Sequence, residues 1–307
     1  MPLRFTFRQL EYFVAVGEEG SIAQASEKVN ISSPSISSSI SQLEDELGLK
    51  LFVRKHAYGL TLTQGGQRFL ERAKTVLKDV HALNDLANEI TGQIRGPLNI
   101  GCLLTFAQLV IPQLRREFET EYPEVEIKQA VIHQADIFDQ LRRAKIDVAL
   151  TYDLAIPADL EFIPLLNLPP YVVLSEAHPL SAKKEIPLDD LQDHPMVLLD
   201  LPYSGEYFVS LFTKVGIQPT IAERASDMAI MRSLVANDFG YSLVNIRPLS
   251  DLSPDGKKLK FVPVAGKPQA MTVGLLTTAQ AQDLVVIRSF VEHCKNSIQK
   301  GTLPGLH

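Results

Sequence analysis

Seven serines lie between Ser32 and Ser41, and Gln42 follows them. Short hydroxyls and a carboxamide both donate and accept, which suits phosphate oxygens and base edges. Twelve residues on, Arg54-Lys55 is a basic pair of the kind that meets a phosphate backbone. Bond-making chemistry is harder to find. There is no G-x-S-x-G, H-E-x-x-H, phosphate-binding G-x-x-x-x-G-K-[ST] or dinucleotide G-x-G-x-x-G. The seven histidines show no metal-ligand spacing, and the two cysteines, Cys102 and Cys294, form no C-x-x-C. The residues therefore point to binding, with no enzyme activity, cofactor or metal expected.

The elements that hold the serines are short helices. Leu10, Phe13, Val14 and Val16 give a helix over 6–18. Gly20 stops it, and Ser21 with Gln24 has the form of a capping box opening a second helix that ends near Val29. Ser33-Pro34 reads as N-cap and first helical position of a third helix. Ile36, Ile40, Leu43 and Leu47 form its buried stripe, leaving Ser35, Ser38, Ser39 and Gln42 on the opposite face. Two helices joined this tightly make a helix-turn-helix, whose second helix can enter a major groove. The same spacing also fits a helical hairpin with a solvated serine face. Leu51-Phe52-Val53 and Leu60-Thr61-Leu62 read as strands of a wing around Arg54 and Lys55, or as a plain solvated hairpin.

A long helix over 67–95 follows. Phe69, Ala73, Val76, Val80, Leu83, Ala87, Ile90 and Ile94 recur four and three residues apart, an a/d seam suited to pairing with a second copy. The alternative is a helix packed on its own chain. Pairing matters because residues 1–66 are slightly acidic, so one module alone would hold DNA weakly.

Taken together, these segments resemble the LysR-type transcriptional regulators. The resemblance is carried by Phe7-Arg8-Gln9-Leu10-Glu11-Tyr12-Phe13, Gly20-Ser21-Ile22-Ala23-Gln24-Ala25-Ser26, Ser32-Ser33-Pro34-Ser35-Ile36-Ser37, Ile40, Leu43-Glu44, Leu47-Gly48, Leu51-Phe52, Arg54 and Leu62-Thr63. It extends through Gly96–Gly101, Ile111-Pro112, Tyr122-Pro123, Asp147–Leu150, His178-Pro179-Leu180 and Gly240. It implies an α/β multidomain chain: an N-terminal winged helix-turn-helix, a dimerising linker helix, and a C-terminal two-lobed α/β effector-binding domain resembling periplasmic binding proteins. It implies a homodimer assembling to a homotetramer on an interrupted palindromic operator in double-stranded DNA, and a small-molecule effector between the lobes. The DNA-contacting residues would be Ser32, Ser33, Ser35, Ser37, Ser38, Ser39, Gln42, Arg54 and Lys55. The sequence departs from the family on the recognition helix, where Ser33, Ser38, Ser39 and Ser41 stand in for the usual Gln, Arg, Gln and Arg. Readout then leans on Gln42, on the wing and on DNA deformability.

From Leu98 strands and helices alternate, as in a doubly wound sensor. We expect strands at Leu98–Cys102, 125–132 and 147–151, and helices at Phe106–Phe118 and 136–144. The effector-binding domain is expected over 96–307, with lobe I at 96–167 and 268–300 and lobe II at 168–267. Ligands in such folds sit at strand carboxyl ends between lobes. That nominates Cys102, Leu103, Leu104, Thr105, Gln134, Thr151, Pro202, Tyr203 and Ser204, although Cys102 and Leu103 also read as core. Helix N-termini there favour an anion, so a small organic acid leads. A redox-responsive regulator switching through Cys102 and Cys294 is the alternative.

Composition fits this picture. Hydrophobic residues are 45%, charged residues 21%, and the net charge is −6, so any DNA affinity must be local. No run approaches the roughly 20 apolar residues of a membrane span. With no apolar core of signal-peptide length at the start and so few cysteines, the cytoplasm is the expected location.

Overall fold

A computed structural model describes residues 4–55, 59–301 and 303–306. The chain forms two compact units, 1–87 and 88–307. The first contains α1 (Phe7–Glu19), α2 (Ile22–Val29), α3 (Ser33–Leu47), the strands β1 (Phe52–Lys55) and β2 (Gly59–Leu62), and most of α4 (Gln64–Thr91).

Apolar spacing builds this unit from the inside. Phe13 is fully buried, with its ring 5.5 Å from Phe52 and 5.4 Å from Phe69. Leu10, Leu43, Leu51, Leu70, Ala73 and Leu77 join it, while Val16, Ala25, Ile36 and Ile40 fill a second cluster against α2 and α3. Two caps differ from expectation. Ser32, with extended backbone, caps α3 and accepts from the Ser35 N–H (3.4 Å), so Ser33 and Pro34 are already helical. At Ser21 only the forward bond to the Gln24 N–H forms (3.5 Å). The full reciprocal box belongs to Thr6 and Gln9, where the Thr6 N–H donates to Gln9 Oε1 at 2.8 Å.

A buried carboxylate fastens α3 to the wing. Glu44 Oε1 accepts from the Leu51 N–H (2.8 Å) and the Phe52 N–H (3.1 Å), and Oε2 accepts from Lys50 Nζ (2.7 Å). Burial alone would raise its pKa; the bonds from Lys50, Phe52 and Leu51 outweigh burial and hold it below the usual carboxylate value. β1 and β2 pair antiparallel from Phe52–Leu62 to Lys55–Gly59. Gly66 lets the first turn of α4 lie on this corner, since a Cβ there would come within 2.1 Å of the Leu51 carbonyl oxygen. On the same unit Glu18 bridges Lys28 of α2 (2.9 Å) and Lys74 of α4 (3.0 Å).

The second unit continues with β3 (Gly96–Cys102), α5 (Leu104–Leu109), α6 (Ile111–Glu121), β4 (Val125–Val131), α7 (Gln134–Arg142), β5 (Val148–Tyr152) and β6 (Glu161–Leu168). Then come β7 (Tyr171–Ser175), β8 (Pro195–Leu199), α8 (Ser204–Thr213), β9 (Thr220–Ala225), α9 (Met228–Ala236), β10 (Ser242–Val244) and β11 (Leu259–Pro263). β12 (Met271–Thr277) and α10 (Val285–Gln299) complete it. One sheet runs β4-β3-β5-β12-β6, with β3 parallel to β4 and β5, and β12 antiparallel to β5 and β6. In the other half β7 lies between β10 and β11, and β8 pairs in parallel with β9. The chain crosses between the halves at 169–170 and again at 265–270, which gives two lobes.

The single helix expected over Phe106–Phe118 is two. Val110 is stretched to φ −113° between them, and Pro112 in the first turn of α6 has no N–H to continue the ladder. The long helix also starts earlier and stops earlier than expected. Gly92 turns at φ +66°, and Ile94, beyond the helix, packs on the core of the second unit instead of extending the a/d seam. Among the described residues no helix is long and apolar enough to cross a membrane, and no group of three or more His, Cys, Asp or Glu is placed to hold a metal.

Glu44→Gln should cost about 1–3 kcal/mol at neutral pH, because two buried backbone N–H groups and Lys50 lose a charged acceptor. The folded pKa lies below 4.5, so this contribution is present above about pH 4.5 and fades as pH falls through the folded value. Urea unfolding followed by circular dichroism should show the gap between variant and wild type shrinking in acid.

Candidate nucleic-acid interface and ligand cleft

On α3 the buried stripe is Ile36, Ile40, Leu43 and Glu44. Ser32, Ser35, Ser38 and Gln42 are exposed on the other side, and Ser41, not among the expected contacts, joins them. Ser33, Ser37 and Ser39 are half-buried. The hydroxyls of Ser32 and Ser35 bond each other at 2.8 Å, so Ser32 serves mainly as the cap. The least committed surface is therefore Ser38, Ser41 and Gln42, three and four residues apart on one face. Cations of this unit engaged internally include Lys28 with Glu18 and Glu19, Lys74 with Glu18, and Lys50 with Glu44. Arg54 and Lys55 sit on β1, and their side chains lie outside the described ones, as does the wing tip 56–58.

α4 has two faces. Leu70, Ala73 and Leu77 are buried in the core of their own unit, and Phe69 packs beside Phe13. Phe69 and Ala73, expected in the seam, thus have partners within the chain. Val76, Leu83, Ala87 and Ile90 are exposed, with Leu83 at 65% and Ile90 at 77%, and Val80 is half-buried. Leu86 adds a further exposed apolar side chain to this stretch.

In the second unit the carboxyl ends of strands and the starts of helices meet between the lobes. Leu103, Leu104, Thr105, Gln108, Ile132, His133 and Gln134 face Leu201, Pro202, Ser204, Ser226, Asp227 and Met228. These positions open α5, α7, α8 and α9, so four helix N-termini converge. α7 and α8 have no side-chain cap, whereas Asp227 caps α9 by accepting from the Ile230 N–H (2.8 Å). The hydroxyls of Thr105 and Ser204 belong to residues more than nine-tenths buried and have no hydrogen-bond partner among the described residues. About 40 Å3 is open to the centre of a water molecule, within about 490 Å3 of space between the atoms that includes open solvent.

The cleft collects Leu103, Leu104, Thr105, Gln134, Pro202 and Ser204 of the expected residues. Cys102 and Thr151 are fully buried and do not line it. Gln134 lines it but spends its amide inward: Nε2 donates to the carbonyls of Tyr152 and Leu154, and Oε1 accepts from Thr151 (3.2 Å). Tyr203 also stays out of the lining. It holds φ +65° at the start of α8, and its ring lies 6.3 Å from Phe138 of the facing lobe. A non-glycine residue in this region costs about 1–2 kcal/mol, and the packing on Phe138 helps to offset it. Gln108, His133, Ser226 and Asp227 also line the cleft and were not among the expected residues, since no local pattern in the sequence singles them out.

Behind the cleft, α8 is bonded directly to one crossing and, through Asn245, to the edge of the other. Tyr207, one turn after Ser204, donates its hydroxyl to the Gln269 carbonyl (2.6 Å). Asn245 Nδ2 donates to the Leu168 carbonyl (2.8 Å) and to the Tyr207 hydroxyl (3.0 Å). Burial, partly countered by the Asn245 bond, pushes the Tyr207 hydroxyl to about 12.

Both cysteines are free and fully buried. Burial, offset in part by the Gln129 amide, pushes the Cys102 thiol up to about 11, and burial raises Cys294 as well. Thiolate is the reactive form, so this geometry gives the redox alternative no support.

The architecture is that of a regulator carrying a helix-turn-helix and a sensor in one chain. Residues 7–67 match the family described as bacterial regulatory helix-turn-helix protein, lysR family, and residues 91–299 match the LysR substrate binding domain. HinK, a LysR family transcriptional regulator from Pseudomonas aeruginosa, has a crystal structure similar to this chain. The likeness is 34% in sequence with a TM-score of 0.64, over 95% of this chain and 98% of that one. The HTH-type transcriptional regulator YvbU of Bacillus subtilis is 30% identical over 258 residues, 83% of this chain and 84% of its own length. The hydrogen peroxide-inducible genes activator of Haemophilus influenzae is 28% identical over 276 residues, 88% and 89% of the two lengths. The chain belongs to the LysR family of bacterial transcriptional regulators.

Tyr207→Phe keeps the ring and deletes the bond to Gln269. It should destabilise the second unit by about 1–3 kcal/mol, since the Asn245 amide loses a buried acceptor. Urea unfolding measures this, and an unchanged midpoint would mean the network contributes nothing net.

Proposed function

We propose that this regulator binds operator DNA through α3, with Ser35, Ser38 and Gln42 reaching the major groove and Ser32, Ser33, Ser37 and Ser39 closer to the backbone. Arg54 and Lys55 on the wing meet phosphates. Residues 1–66 form the DNA-binding domain, 67–95 the linker, and 96–307 the effector-binding domain, with lobes at 96–167 plus 268–300 and at 168–267. Val76, Val80, Leu83, Ala87 and Ile90 pair with a second copy, and dimers assemble to a tetramer on an interrupted palindrome. The effector is a small organic acid or a related metabolite held between the lobes, and the protein works in the cytoplasm without catalysing a reaction.

The observation that carries this reading is the combination, in one chain, of a helix-turn-helix whose polar face is exposed and a cleft where unpartnered hydroxyls meet uncapped helix N-termini. The acid follows from the helix ends, which present N–H groups and positive dipole ends. The apolar walls from Leu103, Leu104, Ile132, Leu201 and Met228 favour a ligand with a hydrocarbon body.

Footprinting on DNA upstream of the protein's own gene, at moderate salt, should reveal a protected dyad. Gln42→Ala should weaken that site about tenfold through a lost base contact of 1–3 kcal/mol. Equal affinities at matched salt would remove Gln42 from the interface.

Leu83→Asp places a charge on the exposed apolar face of α4 and should yield monomers with poor DNA binding. Light scattering that still finds dimers would assign association to another surface.

A further inference from the structure

Charge in the cleft is unevenly supplied. Among its lining residues there is no Lys or Arg, but there is a carboxylate, Asp227. One of its oxygens caps α9 through the Ile230 N–H, and Asp227 has no ion-pair partner among the described residues. The nearby Asp200, whose carboxylate lies 2.7 Å from where a Cβ on Gly205 would be, is different: it pairs with Arg224 at 2.8 Å. A plain organic anion would find uncapped helix N-termini but also a carboxylate that no Lys or Arg of the lining offsets. A plain amine would find that carboxylate but also the helix N-termini. A molecule carrying both charges satisfies both.

We infer that the effector is a zwitterion, an α-amino acid with an apolar side chain, whose carboxylate is held at the starts of α7 and α8 and whose ammonium pairs with Asp227. This rests on the reading of the cleft as the effector site and narrows the acid proposed for it. The hydroxyls of Thr105 and Ser204, two largely buried residues, supply the side-chain hydrogen bonds the carboxylate needs in the absence of a cationic partner. Leu104 and Met228 offer the side chain an apolar wall. A second carboxylate on the ligand would face Asp227 and be disfavoured.

The test is isothermal titration calorimetry on the full chain with three probes of one shape: L-leucine, 4-methylpentanoate, which lacks the ammonium, and 3-methylbutylamine, which lacks the carboxylate. L-Leucine should bind about tenfold or more tightly than either analogue, the loss expected when one charged partner is left unmatched. Asp227→Asn retains an acceptor for the α9 cap while removing the charge. It should weaken L-leucine about tenfold and abolish its advantage over 4-methylpentanoate. 4-Methylpentanoate binding as tightly as L-leucine to the wild type would overturn the zwitterion and leave the organic-acid cleft standing. Absence of binding by all three at millimolar concentration would overturn the inference outright. L-Leucine binding that is indifferent to both Asp227→Asn and Thr105→Val would place the ligand elsewhere, and would overturn the cleft reading along with the inference.

Discussion

The Tyr207 hydroxyl lies between the Gln269 carbonyl and the Asn245 amide, and that amide also reaches the Leu168 carbonyl. Leu168 and Gln269 flank or lie in the two places where the chain passes between lobes, so one small network clasps both. Its other property is position along α8. Ser204 of the same helix lines the cleft three residues earlier, and Tyr203 before it packs across on Phe138. A helix of this length is stiff over one turn. A displacement at the start of α8 would therefore be carried to the crossings. The cleft and the crossings are joined through one element.

The N-terminal unit solves a different problem, which is to offer a polar face on a small module without losing its core. Local spacing does most of this. Ile36, Ile40 and Leu43 bury one side of α3 and thereby commit the serines to the other. The cost is that α3 is short of apolar surface at its end, and there Glu44 substitutes hydrogen bonds for burial, fixing the helix to Leu51 and Phe52. The wing is placed by a carboxylate in the last turn of α3, a helix that Gly48 closes at φ +62°. Its angle to α3 thus depends on a charge-assisted contact between neighbours in sequence.

Much of this was legible because it is local. The helix-turn-helix, the wing strands, the alternating sensor and the long helix follow from spacings within a turn or two. Errors fell where two neighbours compete for one role or where distant segments decide. Ser32 and Ser33 are equally good caps by type, and backbone geometry chose the first. Cys102 ends β3 as expected and Thr151 lies one residue short of the end of β5, but these strand ends are buried on both faces and neither side chain reaches the cleft. Gln134 reached the cleft with its amide already taken by β5 and the segment after it. Asp227 and Ser226 lie more than 90 residues from Gln134 along the chain, and no local pattern reports which helix starts meet across a cleft.

The recognition face also bears on assembly. Arg and Gln supply bidentate base contacts of about 1–3 kcal/mol each, and most are replaced here by serine. Toward its C-terminus α3 adds the exposed Asp45 and Glu46, which repel phosphate. Lys28 and Lys50, the cations that would counter them, are held in ion pairs within the unit. A single module therefore has few strong contacts and an adverse local charge. Linking two modules converts the second contact into an intramolecular one and raises affinity without any new interaction. The apolar stretch left exposed on α4, from Val76 to Ile90, runs in the element that would make that link. On the proposed reading, serine in place of arginine on α3 and exposed apolar surface on α4 are complementary features of the same chain. A regulator with this recognition helix would depend on partner copies more heavily than one that reads bases through arginine.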